Sequence, residues 1–286
     1  MRDETRAQSI RGRPKRMLLS SILLSLFFFI LFFCIAEWAV RHQFSRYPAG
    51  LYANDSMTRY TFAPNFNGCV QIEEGKRTCF HTNSLGLTNI EEPPFEKPIV
   101  LVVGDSFTFS VFDCPMNETY PAATEHALAA LGKEYTVLNA GIPGYSITQD
   151  VARFKQLAPI VSPSIGVITF FIGNDIYDEG IPDQFDVIDG QLVMNPKYYA
   201  GNAVQRFLSH SVIYRRLSAI ITTLLWPTHS PQYDAAMYLS TNGPTLFSQN
   251  IKIAEKDFLD FKEYCDSQNI TCMVNIVSSR DQVPGV

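Results

Sequence analysis

Three short stretches hold residue types that could carry out acyl transfer. The first is Gly104-Asp105-Ser106, which follows directly on five apolar residues, Ile99 to Val103. Such a run reads as a strand buried on both faces. A serine on the turn at its C-terminal end has an exposed hydroxyl and an outward N–H, as a nucleophilic serine needs. The second stretch is Asn139-Ala140-Gly141-Ile142-Pro143-Gly144-Tyr145, and the third is Gly173-Asn174-Asp175. Acyl transfer requires hydrogen-bond donors aimed at the developing oxyanion. The Ser106 N–H, the Gly144 N–H and the Asn174 side-chain amide would be those donors, with Asp105 and Asp175 in support. Glycine suits position 144 because it lets the backbone approach a substrate. Each stretch also has a local explanation: Asp105-Ser106 can cap a helix, Gly144 can permit a turn, and Asn174-Asp175 can cap or turn. All three in order, each at a strand end, point to one site.

The elements that must bring these loops together can be read from periodicity. After Pro93, Pro94 and Pro98, strands and helices alternate. Ile99–Val103 is the first strand. A helix is expected over Thr119–Leu131, with Thr119 as cap, Pro121 in its first turn and Gly132 at its end. Tyr135–Asn139 is the second strand. Ser146–Ala158 is the next helix, opened by a Ser146-x-x-Gln149 capping box and stopped by Pro159 and Pro163. Val167–Ile172 is the third strand. Phe247, Ile251, Ala254, Phe258, Phe261 and Cys265 recur at helical spacing, and Cys272–Val277 is the last strand. This order implies a three-layer α/β/α fold around a central parallel sheet with right-handed crossovers. In such a sheet the three stretches share one edge, where ligands bind.

These stretches resemble the conserved blocks of the SGNH (GDSL-type) hydrolases. GDSFT at 104–108 resembles the block that supplies the serine. NAGIPG at 139–144 resembles the block whose final glycine is an oxyanion donor, and IGND at 172–175 the block that supplies the asparagine. The resemblance covers residues 96–280 and implies a flavodoxin-like sheet and ester hydrolysis. FHTNSLGLTN at 80–89 resembles a segment of membrane-anchored relatives, and its residues alone suggest no role. The family's last block, Asp-x-x-His, supplies the base and its orienting carboxylate, and this chain has none. Its histidines are His42, His81, His126, His210 and His229. The expectation is a C-terminally incomplete sequence that, without its base, is nearly inactive. In a serine hydrolase stripped of its base, roughly 10³–10⁴ over water remains.

Upstream, Met17–Ala36 is twenty residues without a charge, long enough to span ~30 Å of hydrocarbon. Residues 1–16 carry six Lys/Arg against two Asp/Glu, a net of +4 in a chain of net −5, which leaves −9 for the rest. The positive-inside rule then places the N-terminus in the cytoplasm and the main domain in the periplasm or outside the cell. An uncleaved anchor fits better than a signal peptide, whose apolar region is shorter and ends at a small-x-small site. The domain organisation is a basic tail at 1–16, an anchor at 17–40, a linker with a small cysteine-containing subdomain at 41–95, and the hydrolase-like domain at 96–286. An aromatic-rich insertion at 176–245 interrupts that domain. Its apolar stretch Ala203–Trp226 suits a helix packed on the core, a lid, or a face on the membrane.

Cys69 and Cys79 bracket a hairpin-like segment turning at Gly75, and Cys265 and Cys272 could form a second bridge, leaving Cys114 free. No pair has the spacing of a zinc site, and there is no nucleotide-binding glycine loop, so neither metal nor cofactor is expected. No basic cluster outside the N-terminus suggests nucleic acid. The expected partners are the membrane and an acylated small molecule or glycan. Three functions fit: a membrane-anchored extracytoplasmic serine esterase or deacylase, an O-acyltransferase for envelope or exported polysaccharide, and a non-catalytic binding or scaffold protein. The sequence does not fix the oligomeric state.

Overall fold

A computed structural model describes residues 4–43, 48, 50–71, 77–89, 92–111, 114–179, 184–188, 190–194, 203–208, 211–225 and 247–278. The chain divides into two contact units, residues 1–45 with 201–226 and residues 46–200 with 227–286.

In the first unit, Glu4–Gln43 is one helix, α1. Its Leu18–Val40 portion has a mean hydropathy of 2.8 and is long and apolar enough to cross a membrane. Side chains from Leu18 to Ile35 are exposed along it, so this stretch has no core to bury in.

The second unit begins with two antiparallel hairpins. Tyr52–Asp55 (β1) pairs with Arg59–Phe62 (β2), and Asn67–Gln71 (β3) pairs with Arg77–His81 (β4). Cys69 and Cys79 face each other across the second hairpin and are disulfide-bonded. The expected turn at Gly75 lies outside the described residues. Ile99–Val103 (β5) is buried on both faces, as its unbroken apolar run requires. It is followed by Ser106–Phe109 (α2), Tyr120–Ala130 (α3), Thr136–Asn139 (β6), Ile147–Val161 (α4), Ile165–Phe171 (β7) and Asp175–Asp178 (α5). Phe185–Ile188 (β8) and Gln191–Met194 (β9) form a hairpin. Ser248–Gln268 (α8) and Thr271–Val277 (β10) complete the unit. Ala203–Leu208 (α6) and Val212–Leu225 (α7) belong to the first unit. The apolar stretch from Ala203 is therefore two helices grouped with α1.

The central sheet has strand order β10-β7-β5-β6, all parallel, giving the expected α/β/α layering. Ile99, Leu101 and Val103 face α4 and α8, against Val151, Phe154, Leu157, Ala254 and Phe261. Val100 and Val102 face the other way, toward Leu128 of α3. A further cluster joins the first hairpin to the sheet domain: Leu51, Tyr52, Tyr60 and Phe62 pack with Phe109, Ile142 and Tyr145. On the edge strand β10, Met273, Val274 and Ile276 are exposed. Cys265 and Cys272 form a second disulfide, and Cys114 is free.

Two local expectations change. Pro159 does not stop α4. It costs one backbone hydrogen bond near the end, and the helix runs on to a left-handed Ser162, whose N–H reaches Ala158 O. Thr119 does not cap α3 with its side chain, because its hydroxyl donates to Met116 O at 3.0 Å.

Candidate active site

The nucleophile turn is built from glycine and a short capped helix. A Cβ at Gly104 would lie 2.1 Å from Thr108 Oγ1, so the turn can fold back on α2 only without a side chain. Asp105 caps α2, its Oδ1 accepting from Phe107 N–H at 2.8 Å. Ser106 is the first helical residue and is exposed. One turn later Ser110, left-handed at φ +53°, ends the helix.

The second loop is laced to the first. Ala140 N–H donates to Val102 O at 2.8 Å and Ile142 N–H to Gly104 O at 2.9 Å. The buried Asn139 bridges them: its Nδ2 donates to Thr108 O at 3.0 Å, and its Oδ1 accepts from Gly141 N–H at 3.1 Å. Gly144 sits at φ +83°, and its N–H has no acceptor among the described residues. Tyr60 donates to the neighbouring Pro143 O at 3.2 Å, and Tyr145 OH donates back to Tyr60 O. The first hairpin thus holds the Gly144 turn from behind.

The third loop meets the first through an aromatic pair, Phe107 and Phe171, with ring centroids 4.0 Å apart. Asn174 opens α5, and its Nδ2 donates to Asp178 Oδ2 at 2.7 Å. The Asn174 side chain also pulls on the Asp105 carboxyl and lowers it, which ties the third loop to the nucleophile turn. Asp175 turns inward, its Oδ2 accepting from Phe171 N–H at 2.8 Å. All three loops lie along the C-terminal edge of one parallel sheet.

Behind this edge lies a set of buried carboxyls. Burial pushes Asp105 up to about 6, against the pull of the Phe107 amide. Burial pushes Asp178 up to about 7, opposed by its hydrogen bond from Asn174. Asp150 is driven well above the carboxylate range by burial and then by Asp175, and Asp175 by burial and then by Asp105. Neither Asp150 oxygen has a hydrogen-bond partner. Burial therefore favours the protonated form of each of these carboxyls. Among the described residues no group of His, Cys, Asp and Glu is arranged to hold a metal. His81 ends β4, His126 lies in α3, and His42 lies in α1, whereas His210 and His229 are outside the described residues. No described hydrogen bond joins a histidine to Ser106.

Several supporting residues escaped sequence reasoning. Asn89 behaves as an extra strand residue beside β6: its Oδ1 accepts from Asn139 N–H at 2.7 Å, and its Nδ2 donates to Val137 O at 3.0 Å. Asn83 Oδ1 accepts from Leu85 and Leu87 N–H, forming a turn that Gly86 completes at φ +73°. The buried Arg153 of α4 donates to Leu85 O at 2.9 Å. The segment at 80–89 therefore buckles the hairpins onto the sheet domain. Its two asparagines flanking an apolar turn were the available signal. Gln149 also serves twice, accepting the Ser146 amide at 3.2 Å and donating to Thr58 O at 2.8 Å.

No protein-family model matches this chain. No curated protein matches it either. Among solved structures it is similar to AlinE4, described as an SGNH-hydrolase family esterase. The two are 17% identical over 62% of this chain and 76% of that chain, with a TM-score of 0.29. It is also similar to TesA, with 18% identity over 61% of this chain and 76% of that chain and a TM-score of 0.28.

Proposed function

We propose that this chain is a membrane-anchored, extracytoplasmic serine esterase or deacylase of the SGNH type acting on an O-acyl ester. The observation that carries the reading is the convergence of three loops on one sheet edge. They bring an exposed serine on a capped turn, a left-handed glycine with an unengaged N–H, and an asparagine amide held by Asp178. Ser106 Oγ attacks the acyl carbonyl, and the proton it loses ends on the alcohol oxygen that leaves. The Ser106 N–H, the Gly144 N–H and Asn174 Nδ2 receive the oxyanion, and collapse of the tetrahedral intermediate expels the alcohol. Water, or a glycan hydroxyl in the acyltransferase variant of the reaction, then takes the acyl group from the serine. Tyr60, Asn139 and Asp178 are positioning residues for these donors.

The test is p-nitrophenyl acetate turnover by the protein purified from its source membrane, with its intact mass measured alongside. Turnover that falls to background in Ser106→Ala supports the reading, and unchanged turnover in that variant refutes it. An added acylatable glycan separates transfer from hydrolysis by the product formed. A mass near 32.2 kDa leaves the protein with no base beyond the residues seen here, and catalysis is then expected near the residual roughly 10³–10⁴ over water. Binding of an acylated glycan without turnover would instead favour the scaffold function.

A further inference from the structure

Glu37 is a carboxylate inside the apolar span, three residues before its end at Val40. It is fully engaged by another helix. Its Oε1 accepts from Val212 N–H at 2.6 Å, and its Oε2 accepts from Ile213 N–H at 3.1 Å and from Ser211 Oγ at 2.8 Å. Ser211 Oγ in turn accepts from Tyr214 N–H at 3.1 Å. The N-terminus of α7 is thereby capped twice, by its own serine and by an acid that complements the helix dipole. Ala36, Glu37 and Val40 are half-buried, while the span before them is exposed. At 1.5 Å per residue, Glu37 lies ~5 Å from the end of the span. The start of α7 is therefore held at the level where α1 leaves the hydrocarbon.

From that point α7 presents an apolar face with no cover among the described residues. Leu217, Ile220 and Ile221 fall at helical spacing on one side, and each is more than half exposed. A helix with such a face, tethered at a bilayer exit, meets lipid before anything else. We propose that α7 is an interfacial membrane helix, clamped to the anchor by Glu37 and laying Leu217, Ile220 and Ile221 into the headgroup–acyl boundary. The proposal rests on the reading of Leu18–Val40 as a membrane span. The clamp also explains how a carboxylate is tolerated in the span: its oxygens receive donors from α7 in place of water.

The test uses the full chain reconstituted in phosphatidylcholine vesicles. Cys34 and Cys114 are replaced by serine, and an environment-sensitive fluorophore is attached at Leu26→Cys, Ile220→Cys or Lys133→Cys. One vesicle set carries bromine near the headgroup end of the acyl chain, the other at the chain terminus. The Ile220 probe is expected to lose about half its emission on the first set and little on the second, as suits a helix ~5–10 Å deep. The Leu26 probe should be quenched most by the second set, and the Lys133 probe by neither. Quenching at Leu26 with none at Ile220 overturns the interfacial helix and leaves the anchor standing, whether α7 then faces water or a second copy of the chain. Quenching at neither site overturns the anchor itself, and the proposal with it. Quenching of Ile220 as deep as that of Leu26 makes α7 a second inserted helix and overturns its interfacial placement.

Discussion

Replacing Asp105 with asparagine should make the protein more stable at pH 8 than it is now, relative to pH 4.5. Asp105 is 1% exposed, so screening by solvent is slight. In the unfolded chain the carboxyl titrates near its ordinary 3.8, and in the folded protein burial holds it at about 6. Below pH ~4 it is protonated in both states and costs nothing. Between these two values the unfolded state ionises freely and the folded state does not, so stability falls as pH rises. A gap of about two pH units is worth about 3 kcal/mol, which is fully lost above pH ~7. Asparagine keeps the Oδ1 that caps Phe107 and cannot ionise. Its extra N–H adds a cost of about 1–2 kcal/mol where the Asp105 Oδ2 has no partner, but that cost is the same at both pH values. Removing the charge also relieves Asp150 and Asp175, both of which Asp105 pushes upward. The assay is thermal unfolding of the detergent-solubilised chain at pH 4.5, 6 and 8. The parent should lose about 5–10 °C more between pH 4.5 and 8 than Asp105→Asn does. Parallel curves for the two proteins would refute the reasoning, because they would mean that the folded protein ionises Asp105 as easily as the unfolded one.

Three further outcomes follow from the site. Gly144→Ala forces an L residue into φ +83° and sets its Cβ 3.0 Å from Tyr60 OH and 3.1 Å from Phe185; ester turnover should fall by about 10²-fold, with a cost of about 1–2 kcal/mol seen in urea unfolding. Asn139→Ala strips acceptors and donors from Gly141 and Thr108 in a buried place, so urea unfolding should show a loss of about 2–4 kcal/mol. Asp178→Asn leaves an acceptor for Asn174 and removes the carboxyl that burial holds near 7; pH–rate profiles should keep their plateau and lose any inflection close to that pH.

The sheet was legible because β5, β6 and β7 are short apolar runs closed by Gly-Asp-Ser, Asn-Ala-Gly and Gly-Asn-Asp, and a buried parallel strand leaves little else in the sequence. The long apolar helix near the N-terminus was legible for the same kind of reason, as twenty uncharged residues stand out from any pattern of a half-buried element. Boundaries were less so. Pro159 reads as a stop, but near a C-terminus it forfeits only one bond, and a left-handed Ser162 decides the end. Ala203–Trp226 reads as a helix for the core, since apolarity alone does not say which surface will accept it.

The sequence by itself determined the order of strands and helices, the long apolar N-terminal helix, both disulfide pairs as candidates and the three loops that could hold a nucleophile and its donors. These depend on local composition and period, which neighbours in the chain fix. Only the tertiary structure decided that Asn89 pairs with Asn139 across fifty residues, that Tyr60 of the first hairpin holds Pro143, that Asp178 engages Asn174, and that Glu37 caps a helix beginning at Val212. Each of these is a polar group satisfied by a distant partner. A lone Asn, Tyr or Glu carries no mark in the sequence of which buried donor or acceptor it will meet, because that is settled only when the layers pack and every buried polar atom must find a bond.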